Sequence, residues 1–202
     1  MQPDSTHVDF ELRPFTIVKS VAQRGLMKWW SERRRNGLLP SRADCDSEEL
    51  SRLRADMALY EVQHGAGSRR YKCLSHGANL RPVDGADLTG VYLDEFFPAP
   101  IKQSALAAYD ATVSMACPIY TARNAVDANQ VPVTFERIRL PLSDDGERVD
   151  HLVTHMEIFC EDGRYQRQDL LLAGASIRDY AVTAAISMAA VGLSPGAQVL
   201  DS

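Results

Sequence analysis

The sequence predicts one α+β domain in which helices cover one face of a five-stranded antiparallel sheet. Two candidate strands joined by a glycine-containing turn, a long helical segment and three further candidate strands follow one another along the chain. A helix placed between two groups of hairpin-connected strands is typical of α+β folds. With 202 residues, 45% of them hydrophobic and 24% charged, the chain has the length and composition of a single globular domain.

The first predicted element is an amphipathic helix over 19–35. Apolar residues, among them Trp29 and Trp30, recur at helical spacing, and Asn36-Gly37 supplies a stop signal. The segment that follows predicts a connector with one short helix before the sheet begins. Residues 1–18 are predicted to be an N-terminal extension.

Five extended segments predict the sheet: 56–63, 69–77, 118–126, 131–142 and 149–159. The turn HGAGS joins the first two in a hairpin, and the turn signals DANQ and SDDGER connect the last three. In the fourth segment the apolar positions change phase between Phe135 and Ile138, which predicts a β-bulge. Between the two groups, apolar residues from Ile101 to Ala116 share one face of a long helix, which Pro118 ends.

The C-terminal part of the chain, 161–202, is predicted to be a helical extension. Strong helix formers without proline run from Arg164 to Val191, with Gly174 as the place of an interruption. The most apolar stretch, Tyr180 to Leu193, has 14 residues and is too short to span a bilayer. It predicts a helix that is buried or docks a partner.

The net charge and the cysteine content limit the classes of protein to which the chain can belong. The net charge of -5 gives no general attraction to nucleic acid or anionic lipid. The run Arg33 to Arg35 is interpreted as a solvated face near a helix end, with a phosphate or partner contact as the alternative. Four cysteines lie far apart without a Cys-x-x-Cys pair, and the first residues do not read as a secretory leader. We therefore expect a protein of the reducing cytoplasm.

The segment DGADLTGVYLDEFFPAP predicts a capped turn followed by a short helix. Gly85 and Gly90 can take positive φ angles, and Asp87 or Thr89 can cap the helix beside them. Leu88 separates the aspartate from Thr-Gly, which excludes an aspartic-protease signature. A direct ligand role for Asp87 is the alternative to this structural one.

Two motifs carry a resemblance to a known family. An aromatic and basic helix is followed by Pro-x-Arg-x-Asp, and a later turn reads Gly-x-Asp-Leu-Thr-Gly. The residues are Trp29, Trp30, Pro40, Arg42 and Asp44 in the first motif, and Gly85, Asp87, Leu88, Thr89 and Gly90 in the second. With these motifs and this order of elements, the chain resembles the PAS family, and within it single-domain proteins frequent in alphaproteobacteria, first catalogued as a domain of unknown function.

The resemblance covers about residues 21 to 160 and implies a PAS-like domain over 19–160. The chain departs from the family pattern in the segment YKCLSHGANLRPVDG, where Cys73, His76 and extra residues precede Gly85. The mouth of a pocket there is expected to differ from that of the relatives.

The function that the resemblance implies is that of a stand-alone sensory or regulatory protein, expected as a homodimer, which binds a small molecule or a protein partner. The candidate pocket residues are Tyr71, Cys73, Phe96, Tyr109, Phe135, Thr154 and Met156, which combine apolar walls with a few polar groups. The helix with Trp29 and Trp30 and the C-terminal helix are candidate contact surfaces. Packing on the chain's own sheet is the alternative for each.

Catalytic, metal and cofactor motifs are absent from the sequence. His151 and His155 are four residues apart in a predicted strand, so they lie about 13 Å apart and cannot share a metal. The flavin-binding cysteine motif and a long-helix histidine for haem are also missing, so we expect neither a cofactor nor enzymatic activity. Two alternatives stay open: a ligand-free interaction adaptor, and an enzyme on a similar cone-shaped fold with His155 or His76 as the base.

Overall fold

A computed structural model describes residues 8–65, 67–127, 129–160 and 176–188. Seven strands and four α-helices follow one another in this part of the chain: β1 (Glu11–Pro14), α1 (Val21–Arg33), β2 (Met57–His64), β3 (Arg69–His76), α2 (Arg81–Asp84), α3 (Leu93–Phe96), α4 (Ala99–Met115), β4 (Ile119–Val126), β5 (Pro132–Leu142), β6 (His151–Phe159) and β7 (Ser176–Ser187). Short 3-10 turns connect α1 to β2 at Arg42–Asp46, Glu48–Leu50 and Arg54–Asp56.

The strands form one sheet in the order β1-β7-β4-β5-β6-β2-β3. Neighbouring strands are antiparallel, apart from β1 and β7, which are parallel. Strands β2 to β6 coincide with the five predicted segments, which confirms those segments. The strand count of five is wrong for the described chain, because β7 and β1 extend the sheet beyond β4.

The helical extension predicted over 161–202 is wrong for residues 176–187, which form β7. This strand lies antiparallel beside β4, with Ala184 opposite Tyr120. Its β-branched residues suit a strand, and the edge of β4 supplies hydrogen-bond partners that outweigh the helix propensity of its alanines. The remainder of the predicted helix, including Gly174, lies outside the described residues.

Helices cover both faces of the sheet, so the expected one-sided cover is wrong. On the face that we call inner, the guanidinium of Arg139 in β5 lies 4.7 Å from the ring centre of Tyr109 in α4. On the opposite, outer face, the hydroxyl of Ser20 at the start of α1 donates to the Glu157 carboxylate at 3.2 Å. Glu157 pairs with Glu136, which alternation places on the face opposite Arg139.

Strand β5 explains why the sequence suggested a bulge. Its pairing with β4 and with β6 runs without a shift in register, so the predicted bulge is wrong. Phe135 faces inward, whereas Ile138, Leu140 and Leu142 face outward beneath α1, and all four are buried. The apolar phase changes because the strand is covered on both faces, and the inner positions after Phe135 are occupied by arginines.

Helix α1 packs against the outer face through its tryptophans. The hydroxyl of Ser20 caps the helix by accepting from the Gln23 N–H at 3.0 Å. Trp29 and Trp30 are 1% and 0% exposed, and the Trp30 indole N–H donates to the carbonyl oxygen of Pro141 at 2.7 Å. Of the two interpretations of this pair, packing on the chain's own sheet is therefore confirmed, and the contact surface is wrong.

Candidate ligand cavity on the inner face of the sheet

The Gly-x-Asp-Leu-Thr-Gly turn is held by its own side chains. Gly85 ends α2 with a φ of 76°, and Gly90 has a φ of 87°. The Asp87 carboxylate accepts from the Thr89 N–H at 3.0 Å and from its hydroxyl at 2.7 Å, and pairs with Arg81 at 2.9 Å. The Thr89 backbone N–H, followed by the hydroxyl, lowers the pKa of Asp87. These contacts agree with the structural role of the motif.

His76 and Cys73, the departures from the family pattern, attach this turn to β3. The His76 ring accepts the Leu88 N–H through Nδ1 at 3.2 Å, so Nε2 carries the proton and donates to Asp84 at 2.8 Å. The carbonyl of Cys73 accepts from the Gly90 N–H at 2.8 Å. Because both nitrogens of the buried His76 ring are engaged within the chain, neither is available to a substrate.

The Pro-x-Arg-x-Asp motif organises the connector after α1. The Asp44 carboxylate accepts from the Ser41 N–H at 2.8 Å and from its hydroxyl at 3.0 Å, which fixes the first turn of Arg42–Asp46. The carbonyl of Pro40 accepts from the Ser143 N–H at 2.9 Å, which joins the connector to the end of β5. Arg42 itself is exposed. The motif is therefore part of the scaffold and lies away from the cavity described next.

A cavity of about 60 Å³ lies on the inner face between α4 and the strands β4 to β7. It is lined by Phe97, Ile101, Ala105, Thr121, Arg123, Phe135, Arg137, Arg139, Met156 and Tyr180. A water-sized group needs about 10 to 15 Å³ measured in this way, so the cavity has room for about four to six such groups.

Two of the seven predicted pocket residues, Phe135 and Met156, line this cavity. Tyr109 stands beside it. Its ring lies under the guanidinium of Arg139 and 5.3 Å from the ring of Tyr71, centre to centre. The signal that found these residues was their apolar or aromatic character at inward-facing positions.

The other four predicted residues are placed around the cavity and do not line it. The Tyr71 hydroxyl donates to Asp110, and Phe96 packs on Phe97 with ring centres 5.4 Å apart. The remaining two, Cys73 and Thr154, are buried: the Cys73 thiol donates to the Ser75 carbonyl at 3.3 Å, and the Thr154 hydroxyl to the Ala58 carbonyl at 3.5 Å.

Eight of the ten lining residues were not predicted from the sequence, and the most buried arginine among them is Arg139, which is 2% exposed. Its Nη1 donates to the Thr121 hydroxyl at 3.0 Å, and its guanidinium rests on the Tyr109 ring. Its Nε is buried and has no hydrogen-bond partner among the described residues. Burial lowers the pKa of Arg139; the neighbouring Arg137 also lowers it, although the tyrosines act in the opposite direction.

Two further arginines lie at the same cavity. Arg137 donates to the Tyr109 hydroxyl at 3.4 Å and lies 3.1 Å from the sulfur of Met156. Arg123 stacks on Tyr180 of β7, with 3.7 Å between the guanidinium carbon and the ring centre. The sequence signal for the two arginines of β5 was the alternation Arg137-x-Arg139 inside an otherwise apolar strand.

None of these three arginines forms an ion pair in the described part of the chain, although the Asp84 carboxylate acts on Arg137 at longer range. Within the ranges that the structure describes, no carboxylate oxygen lies within 4.0 Å of a guanidinium nitrogen of Arg123, Arg137 or Arg139. By contrast, surface arginines such as Arg70 pair with acids, here Asp94 at 2.9 Å. Arginine stays protonated in proteins, so the cavity wall carries three positive charges, none of which is ion-paired with a described carboxylate.

The fold and the cavity define an α+β domain with a small, cationic interior site beneath its long connecting helix. A family model described as a PAS domain matches residues 18–156, more than half of the chain, and the protein belongs to the PAS domain family. No curated protein and no solved structure matches it. Membership in this family indicates a sensory or regulatory role in general.

The described part of the chain contains neither a metal-binding cluster nor a helix that could span a membrane. There, no three His, Cys, Asp or Glu side chains come together in a group that could hold a metal ion. His151 and His155 are both buried on one face of β6, which agrees with their interpretation as sheet-face residues. No described helix has both the length and the apolar character needed to cross a bilayer.

Proposed function

We propose that the protein is a cytoplasmic PAS-type sensor that binds a small molecule in the inner-face cavity and signals by protein–protein contact. The observation that carries this proposal is the cavity itself, which lies between α4 and the sheet and combines an apolar wall with charged groups. Sites for drug-sized ligands measure about 300 to 1,000 Å³. A volume of about 60 Å³ therefore favours a ligand of only a few non-hydrogen atoms.

Strand β7 connects the cavity structurally to the exposed edge of the sheet. Arg123 stacks on Tyr180 of that strand, and β7 also pairs with β1, whose residues are all exposed. An open groove of about 650 Å³ runs along the outer side of these strands. We propose that a second copy of the chain contacts this exposed sheet edge in a homodimer, and that a ligand that moves Arg123 shifts the edge.

The proposed role is regulatory and not catalytic. Both ring nitrogens of His76 are engaged within the chain, and His155 belongs to the outer face, away from the cavity. A ligand-free interaction adaptor is the second candidate, and the small volume of the cavity is the observation that favours it.

Native mass spectrometry of the freshly purified protein tests the proposal, because it reports subunit count and retained mass together. A sensor is expected to carry an excess of about 60 to 100 Da per subunit, the mass of a molecule with about four to six non-hydrogen atoms. A dimer without retained mass, unchanged by added metabolite extract, would favour the adaptor.

Two cavity variants with matched surface controls locate the bound mass. Phe135→Ala enlarges the cavity and Met156→Trp fills it, so both are expected to change retention while the circular dichroism spectrum stays native. Phe159→Ala and Met115→Trp make the same exchanges at positions that are 40% and 45% exposed, and are expected to leave retention unchanged. Equal retention in all four variants would disprove the cavity as the binding site.

A further inference from the structure

We infer that the ligand of the inner-face cavity is a small anion, a carboxylate or a phosphate-type oxyanion, held by Arg139 together with Arg137 and Arg123. This inference rests on the proposed sensor function and deepens it by naming the class of ligand. It depends on three observations: the positions of the three arginines, the absence of an ion pair between them and any described carboxylate, and the Arg139 donor that has no described partner.

The sheet brings the three arginines together from two neighbouring strands. Arg137 and Arg139 occupy alternate positions of β5 and therefore point to the same face. In the pairing of β4 with β5, Thr121 stands opposite Arg137 and Arg123 opposite Phe135, so Arg123 lies diagonally across from Arg137. All three arginines line the cavity, and its opposite wall consists of apolar side chains of α4.

No described carboxylate forms an ion pair with any of these arginines; Asp84 acts only on Arg137, and at longer range. Burying a cation without an opposite charge is strongly unfavourable, and like charges close to each other add repulsion. The rings of Tyr109 and Tyr180 compensate in part through cation–π contacts, with 4.7 Å to Arg139 and 3.7 Å to Arg123. These contacts use the faces of the guanidinium groups. At the edges, Arg123 donates to the Ser104 hydroxyl and Arg137 to the Tyr109 hydroxyl, whereas Arg139 keeps a donor without a described partner.

Arg139 supplies the free donor. Its side chain is fixed by the Thr121 hydroxyl and by the Tyr109 ring, yet its Nε has no described partner although it is buried. A guanidinium presents Nε and one terminal nitrogen as a fork that matches the two oxygens of a carboxylate or phosphate. An anion in the cavity would satisfy this donor and offset part of the positive charge of the three arginines.

The size of the cavity limits the size of the anion that it can hold. Room for about four to six water-sized groups accommodates acetate, inorganic phosphate or pyruvate, and excludes a nucleotide in this conformation. Carboxylate and phosphate share the recognition chemistry that the arginines provide, so the experiment must distinguish them.

The test measures binding of acetate, pyruvate and inorganic phosphate to the full-length protein. Calorimetric titration gives the dissociation constants, and the melting temperature is recorded in chloride buffer of constant ionic strength. At a hundredfold excess over Kd, the right anion is expected to raise Tm by about 5 to 10 °C for a chain of this size. Preference for acetate and pyruvate assigns a carboxylate, and preference for phosphate assigns an oxyanion.

Arg139→Met is the decisive variant and Arg35→Met its control, since Arg35 is exposed and lies outside the cavity. Arg139→Met is expected to weaken anion binding at least tenfold. Because it removes an unpaired buried charge, it is also expected to keep or raise the Tm of the ligand-free protein. Arg139→Lys, which keeps the charge but loses the fork, is expected to bind with intermediate affinity, and Arg35→Met to behave as wild type.

Two results would overturn the inference in distinguishable ways. If native mass spectrometry finds a neutral molecule whose retention does not respond to Arg139→Met, the sensor function stands and the anionic class is wrong. If no molecule is retained and none of the three anions changes Tm in the wild type, both the inference and the proposed function are wrong.

Discussion

The neighbouring tryptophans of α1 allow the contribution of one buried hydrogen bond to be measured against an internal control. Trp29 and Trp30 are equally buried, and Arg33 and Arg34 lie over their rings at similar distances, 4.8 and 5.1 Å. They differ in the indole N–H: that of Trp30 donates to Pro141, whereas that of Trp29 is buried and has no partner among the described residues. Exchanging each for phenylalanine removes about the same volume.

The expected difference follows from these contacts. Trp30→Phe loses packing and a hydrogen bond worth about 1 kcal/mol, whereas Trp29→Phe loses packing but removes a buried unsatisfied donor whose cost is about 1 to 3 kcal/mol. The packing losses cancel in the comparison. Trp30→Phe is therefore expected to reduce the free energy of unfolding by about 3 kcal/mol more than Trp29→Phe, which corresponds to a Tm lower by about 6 to 12 °C.

Urea unfolding followed by far-UV circular dichroism is the appropriate assay, because each exchange removes one of the two tryptophans and alters the fluorescence. The m-values of the two variants should agree, so that the midpoints report stability alone. If Trp29→Phe proves as destabilising as Trp30→Phe, or more so, the assigned hydrogen bond does not carry the difference and the argument from donor satisfaction is refuted.

Two further predictions concern the backbone and acid stability. Gly77→Ala is expected to destabilise the protein by about 3 kcal/mol, because its Cβ would lie 2.3 Å from the Ala55 carbonyl oxygen. Gly25→Ala, in open space on α1, is expected to stabilise the protein by about 0.5 to 1 kcal/mol. Equal urea midpoints for the two variants would contradict this prediction. The Arg148 backbone N–H is the largest of the effects that lower the pKa of Asp145 to about 2. The unfolded value is about 3.9, so this stabilisation is present above about pH 4 and lost as the pH falls towards 2, and Asp145→Asn should flatten that part of the stability profile.

The elements that the sequence predicts correctly are those whose signals are local. The hairpin of β2 and β3 follows from alternation and a glycine-containing turn, and α1 follows from helical spacing and a stop signal. Strand β7 could not be predicted in this way. Its alanine-rich sequence favours a helix locally, and it becomes a strand because the edge of β4, at least fifty residues away in sequence, offers backbone partners.

The candidate site was predictable only in its apolar half. Phe135 and Met156 were found because inward-facing apolar residues are expected in a pocket. Arg123 was missed because a charged residue in a strand is ordinarily assigned to solvent, and nothing in the local sequence tells which side chains α4 covers. That information depends on how the helix crosses the sheet.

Strand β5 nevertheless contained a usable signal, which was interpreted as a bulge. A strand with one solvated face keeps its apolar residues in a single phase. In β5 the apolar residues lie on the inner face up to Phe135 and on the outer face from Ile138 onward, without a register shift. From that point arginines occupy the inner face. Since both faces of this strand are buried, Arg137 and Arg139 mark the point at which the inner face stops being a core and becomes a charged site. In our proposal, the change of apolar phase that coincides with these alternating arginines marks the interior anion site, because a bulge would not require charge at the inner positions.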